Sequence, residues 1–262
     1  MDLNHLRAVA LAAAYSGGNY ILSRRDRTRR IEHKGDIDLV TEADLGSEKR
    51  IIDTIRGSFP DHAILSEECG LSGGPSRYQW IIDPLDGTTN FAHGMTACCV
   101  SIALVLEGQP LVGIVWDPFT AELFSAVRDR GAFLNGRRLS VSTIDQVNDS
   151  LLVTGFPYNV KEILAPVMER LTRCLASSQG VRRLGSAALD LCYVAAGRFE
   201  AFWEEQLHPW DTAAGHLIVM EAGGRVTDFD NRLFTPEMKS ILASNGHVHD
   251  RMIKLLDLKG SE

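Results

Sequence analysis

Three apolar segments, residues 97–106, 111–116 and 122–127, are joined only by Gly108-Gln109-Pro110 and by Asp117-Pro118-Phe119-Thr120. A parallel crossover needs about a dozen residues or more, so these connections force the three segments to pair antiparallel. A doubly wound parallel sheet is thereby excluded for this half of the chain. Upstream, helical patterns cover residues 2–23 and 41–58. Thr41 is the expected N-cap of the second, with Leu45, Ile52, Ile55 and Phe59 along one face and Pro60 after its end. Strand-like runs follow at 63–66 and 78–82, separated by a Gly/Ser/Pro loop over 70–76. The second half alternates strand 151–154, helix 160–175, strand 181–184, helix 186–196, strand 199–203 and helix 210–222 closed by Gly223-Gly224. Strands near Arg225 and Ile241 and a last helix over 247–256 complete an α+β, layered body in two halves.

Composition narrows the function classes. With 45% hydrophobic and 23% charged residues, the 262-residue chain is neither disordered nor a coiled coil. Its net charge of −7 argues against a nucleic-acid binder. Five cysteines without a Cys-x-x-Cys spacing fit a reducing compartment, hence the cytoplasm, and adjacent Cys98 and Cys99 read as core. No run reaches the roughly 18 apolar residues of a membrane span. Leu3, Leu6, Val9 and Ala13 sit at helical spacing, so the apolar stretch 8–14 reads as part of a first helix and not as a signal peptide.

The chemistry concentrates in Trp80-Ile81-Ile82-Asp83-Pro84-Leu85-Asp86-Gly87-Thr88-Thr89-Asn90-Phe91. An apolar strand runs straight into two carboxylates, which are costly to bury unless paired or metal-bound. Pro84 is expected to end the strand, and the turn can aim Asp83, the Leu85 carbonyl and Asp86 at one point. That is an all-oxygen set suited to Mg²⁺. Gly87, Thr88 and Thr89 then offer backbone N–H groups to a phosphate. Adjacent Glu67 and Glu68 repel unless one faces a cation. Asp44 and Asp211, taken singly, read as helix caps or as ligands. His93 and His208 read as packing or capping residues, and His247 and His249 as a solvated helix start. The run Arg24, Arg25, Arg27, Arg29, Arg30 reads as a solvated helix end.

These segments resemble the inositol monophosphatase family of Mg²⁺-dependent, lithium-sensitive phosphatases. The likeness is carried by Asp38-Leu39-Val40-Thr41-Glu42-Ala43-Asp44, Ser66-Glu67-Glu68, the segment 80–91, Gly131-Ala132-Phe133-Leu134-Asn135-Gly136, Trp210-Asp211-Thr212-Ala213-Ala214-Gly215 and Glu221-Ala222-Gly223-Gly224. The resemblance implies a single domain over 1–262, with halves of about 1–145 and 146–262, folded as a layered αβαβα sandwich. It implies two or three Mg²⁺ ions held by Glu67, Asp83, the Leu85 carbonyl, Asp86 and Asp211. It further implies that Thr88, backed by Asp44, orients the attacking water, and that Glu67 shares in catalysis. The Gly87 and Thr88 amides would cradle phosphate, and Gly185, Ser186, Ala187 and Glu204 would contact the sugar alcohol. Lys34 is the family-like residue whose placement near a metal or the phosphate is not fixed. A homodimer is also implied.

The residues support in-line attack by metal-activated water on a phosphate monoester, without a covalent intermediate. No cysteine lies in a phosphate-loop pattern, and Asp83 and Asp86 are one residue too far apart for a phospho-aspartyl enzyme. The expected substrate is inositol monophosphate, a small polyol phosphate. The alternatives are histidinol phosphate or fructose 1,6-bisphosphate, or a regulatory binding role for the Arg24–Arg30 run.

Overall fold

The computed structural model describes residues 2–25, 31–33 and 39–258; for 31–33 and 39–41 the description is confined to the backbone. Arg27, Arg29, Arg30, Lys34 and Asp38, as well as the Thr41 side chain, lie outside the described residues. The first half contains α1 (Leu3–Arg24), β1 (Ile31–His33), β2 (Leu39–Thr41), α2 (Glu42–Ser58), β3 (Ala63–Ser66), β4 (Gly70–Ser72) and β5 (Tyr78–Asp86). These are followed by α3 (Thr88–Ala92), β6 (Cys99–Leu106), β7 (Gln109–Asp117), β8 (Glu122–Val127), β9 (Gly131–Leu134) and β10 (Arg137–Arg138). The second half contains β11 (Leu151–Thr154), α4 (Leu164–Ser177), β12 (Gly180–Arg182), α5 (Ala187–Ala195) and β13 (Ala201–Glu205). It ends with α6 (Pro209–Glu221), β14 (Arg225–Thr227), β15 (Ser240–Ser244) and α7 (His249–Leu256).

Strand alternation builds the layers. In β5 and β6, Ile81, Cys99, Ala103 and Val105 face one side of the sheet, while Trp80, Ile82, Val100, Ile102 and Leu104 face the other. Both sides are covered, so these strands read as continuous apolar runs. Leu6, Ala10 and Ala13 of α1, with Ile51 and Ile55 of α2, cover the outer side. Leu191 and Val194 of α5, with Leu217 and Ile218 of α6, cover the inner side. Beyond α5 and α6, the second sheet presents Val153, Phe202, Ile241 and Ala243. Its far side, with Leu152, Ala201, Trp203 and Leu242, packs on Cys174 of α4 and on Met252 and Leu256 of α7. The order is helix, sheet, helix, sheet, helix: an α+β, αβαβα sandwich.

The first sheet runs β10-β9-β8-β7-β6-β5-β3-β4 and the second β12-β11-β13-β15-β14. The pairs β5–β6, β6–β7 and β7–β8 are antiparallel, as the short connections require. β3 and β5 run parallel, with Ser66 opposite Ile82. Their C-terminal ends therefore lie side by side, which sets Glu67 beside Asp83.

Several expectations are corrected. Pro84 does not end the strand: β5 continues to Asp86 through a bulge between Asp83 and Asp86. Part of the expected loop 70–76 is strand, with β4 paired to β3. The helix expected from Val160 begins at Leu164, because the Val160 N–H is taken by the Pro157 carbonyl in a turn. The strand expected at 181–184 is Gly180–Arg182. Leu45 is 51% exposed, and the buried face of α2 runs through Ala43, Asp44, Ser47, Glu48, Ile51 and Ile55. His249, expected in solvent, is fully buried between the hydroxyls of Thr227, at 2.9 Å, and Ser244, at 2.7 Å.

Candidate active site

The bulge at the end of β5 is fastened from two sides. Asp83 Oδ1 accepts the Leu85 N–H at 3.0 Å, and the Ser47 hydroxyl of α2 donates to the Pro84 carbonyl at 2.8 Å. Asp44, one turn before Ser47, and Glu48, next to it, complete a buried polar stripe at i, i+3 and i+4 counted from Asp44. Asp44 accepts the Thr88 hydroxyl at 2.8 Å. Glu48 accepts the N–H groups of Glu68 at 3.2 Å and Cys69 at 3.1 Å, holding the turn that carries Glu67. Sequence reasoning missed Ser47 and Glu48. Their signal was helical spacing of polar residues, which also fits a solvent face.

Gly87 turns the chain from β5 into α3 at φ 93°. A Cβ at this position would stand 2.7 Å from the Ala97 carbonyl and 3.0 Å from Cys98 Cβ, so only glycine fits. Asn90, one turn on, donates to the carbonyls of Ala97 and Leu184, both at 2.7 Å, and so joins α3 to the loop before α5.

The second half contributes two helix N-termini. Ser186 caps α5, and its hydroxyl donates to Asp86 Oδ2 at 2.7 Å, as does the Ala188 N–H at 2.7 Å. Asp211 is the third residue of α6 and accepts the His208 N–H at 2.6 Å, closing a capping box with His208. Asp211 is thus a cap, and it also faces the acidic cavity.

Glu67, Asp83, Leu85, Asp86, Thr88 and Asp211 line one cavity, joined by Gly87 and His208. An adjoining cavity shares Asp86, Gly87, Thr88 and Asp211 and brings in Gly185, Ser186, Ala187 and Glu204. The structure therefore gathers every expected site residue around two contiguous cavities, with Asp44 behind Thr88. It also adds Arg183 and Asp190, which the sequence reading had passed over.

Burial, reinforced by the charges of Glu67, Asp86 and Asp211, pushes the Asp83 carboxyl well above the usual carboxylate range. Burial also raises Asp211, with Asp86 adding to it. Asp86 is raised to about 6, burial outweighing its bonds from Ser186 and Ala188. Four carboxylates repelling one another around a cavity, with a backbone carbonyl among them, form an oxygen-only donor set for a hard divalent cation. Among the described residues no three His, Cys, Asp or Glu side chains close into a ready-made cluster.

Glu204, 7% exposed, is raised to about 8, by burial first, with Arg183 opposing and Asp86 adding. The folded protein holds this proton between pH 4.5 and about 8 while the unfolded chain releases it, so stability falls as pH rises through that window. Glu204→Gln is expected to match the wild-type thermal midpoint at pH 4.5 and to exceed it at pH 9 in metal-free buffer. Parallel pH profiles for the two proteins would refute this.

The inositol monophosphatase family model matches residues 2–260. The chain belongs to the inositol monophosphatase family. It is 44% identical over 257 residues to an inositol-1-monophosphatase of Synechocystis, covering 97% of this chain and 90% of that protein. It is also 44% identical over 248 residues to the Nus factor SuhB of Escherichia coli, covering 94% and 93%. The solved structure of the extragenic suppressor protein suhB from Bartonella henselae superposes with a TM-score of 0.93 at 38% identity, covering 98% of this chain and 99% of that one. As a member of the inositol monophosphatase family the chain is a phosphatase by kinship. No helix among the described residues is long and apolar enough to cross a membrane.

Proposed function

We propose that the protein is a Mg²⁺-dependent phosphatase that hydrolyses the phosphate monoester of a small polyol, inositol monophosphate foremost, by in-line attack of water. One observation carries the reading: an acidic cavity lined by Glu67, Asp83, Asp86 and Asp211 shares Asp86, Gly87, Thr88 and Asp211 with a second cavity that has a buried carboxyl, Glu204, at its wall. Glu67, Asp83, Asp86, Asp211 and the Leu85 carbonyl would hold the two or three cations. Bound there, the cations supply the positive charge that activates water and offsets charge on the phosphate and the departing alkoxide.

The chain's own groups do the rest. Thr88 spends its hydroxyl proton on Asp44 or on the Leu85 carbonyl, at 2.8 and 3.0 Å. Its oxygen is then left to accept a hydrogen bond from the attacking water and to orient it. Glu67, on the wall of the same cavity, would take that water's proton. The first amides of α3 lack partners within the helix and are available to phosphate oxygens, next to Gly87 and Thr88. Ser186 holds Asp86 in place, and Gly185, Ala187 and Glu204 border the leaving alcohol. Because the ligand set comes from both halves, about 1–145 and 146–262, the two act as one catalytic unit.

The same proposal includes lithium inhibition, a homodimer and a cytoplasmic setting, the last supported by five free cysteines. A regulatory role fits the Nus factor name of the Escherichia coli relative and would use the arginine run. Two of those arginines are already engaged. Arg24 pairs with Glu42 at 3.2 Å and lies over the Tyr20 ring, and Arg25 lies over Phe119.

Phosphate release over inositol 1-phosphate, histidinol phosphate, fructose 1,6-bisphosphate and p-nitrophenyl phosphate tests the substrate reading. Inositol 1-phosphate is expected to give the highest kcat/KM. Glu204→Gln is expected to weaken its binding about tenfold, about 1.4 kcal/mol, at pH 9, where the Glu204 carboxyl is ionised, to weaken it less at neutral pH, and to spare p-nitrophenyl phosphate at both. Preference for histidinol phosphate or the bisphosphate would overturn the substrate assignment and leave the phosphatase chemistry standing.

A further inference from the structure

Asp190 is the buried polar group that the site described so far does not use. It lies on α5 four residues after the capping Ser186, so the two side chains share one helix face. That face borders the cavity that also contains Glu204. The side chain is 1% exposed, and among the described residues its Oδ1 has no hydrogen-bond partner. A buried carboxyl oxygen left this way is costly unless a donor arrives from outside the chain. The neighbours do not supply one. Neither Glu204 nor Asp86 hydrogen-bonds to it; burial first, and then their charges, push the Asp190 carboxyl well above its usual range. Arg183 is close enough to be felt by both Asp190 and Glu204, yet its guanidinium lies over the Phe156 ring and bridges neither carboxyl. Among the described residues no group supplies that hydrogen bond.

We propose that Asp190 determines specificity by accepting, at Oδ1, a hydrogen bond from a second hydroxyl of the polyol whose first hydroxyls are read by Glu204. This rests on the polyol-phosphate reading above. Two carboxyl groups on one cavity wall favour a ligand with neighbouring neutral hydroxyls and disfavour one that brings a second anionic group there.

The test compares wild type, Asp190→Leu and Asp190→Asn on inositol 1-phosphate and p-nitrophenyl phosphate, with thermal midpoints recorded in parallel. Leucine fills the same space without an acceptor; asparagine keeps one. Asp190→Leu is expected to lose about tenfold or more in kcat/KM on inositol 1-phosphate and to stay within about twofold on p-nitrophenyl phosphate. Its midpoint is expected to equal or exceed that of wild type, since an unpartnered polar group has gone. Asp190→Asn is expected to keep most of the activity on both substrates. If Asp190→Leu does not fold, Asp190→Ala must show the same split. Equal losses on the two substrates, or no loss on inositol 1-phosphate, overturn the proposal alone. A wild type that cleaves p-nitrophenyl phosphate and no polyol phosphate overturns both this proposal and the substrate reading beneath it.

Discussion

Asp83→Asn is expected to raise the thermal midpoint of the metal-free protein while cutting phosphatase turnover by about a thousandfold. The side chain is 2% exposed, and its carboxyl is pushed up by burial and by the surrounding charges of Glu67, Asp86 and Asp211. An amide removes the like charge and keeps Oδ1 as acceptor for the Leu85 N–H, so the turn survives. The group that costs the fold stability is the group that the reaction needs, a usual trade at active sites. Thermal melts in EDTA and then in Mg²⁺ read both sides of this. Wild type should gain stability on adding Mg²⁺, and the variant should gain less. A lower midpoint for the variant in EDTA would show that Asp83 is a structural anchor and not a strained ligand.

Gly87→Ala should damage stability and activity together. The backbone at φ 93° and the Ala97 carbonyl 2.7 Å from the added Cβ leave the methyl no room. Strain of about 1–3 kcal/mol is expected from the backbone alone, before the clash is counted. Any relief moves α3, and with it the Thr88 hydroxyl, away from Asp44. A displacement of about 1 Å there should cost about a hundredfold in turnover. Urea unfolding and steady-state rates measure the two losses. Wild-type values for both would mean that the tight turn does not position Thr88.

The acidic motif was legible because its chemistry is contiguous. An apolar run ending in Asp83, Leu85, Asp86 and Gly87 has few uses other than holding a cation and an anion at a strand end. The antiparallel meander β6–β7–β8 was legible because short connections leave no other topology. What stayed hidden was whatever depends on the rotation of a helix. Ser47 and Glu48 look like a solvated face until packing on β5 turns them inward beside Asp44 and leaves Leu45 exposed. Asp190, set between Leu189 and Leu191, gives no local sign that it borders a cavity, because that depends on Glu204 arriving from β13. His249 resembled a solvated helix start, and only the strands carrying Thr227 and Ser244 bury it. Pro84 lacks a backbone donor and so argued for a strand end, whereas the bulge absorbs that loss and lets β5 reach Asp86.

The acidic cavity is expected to work only with a divalent cation. The most direct measurement is phosphate release from inositol 1-phosphate by EDTA-treated protein, titrated with Mg²⁺. The expected result is no detectable release in EDTA, recovery of turnover as Mg²⁺ is added, and no recovery for Asp83→Asn at the Mg²⁺ concentration that saturates wild type. Undiminished release in excess EDTA would contradict the account.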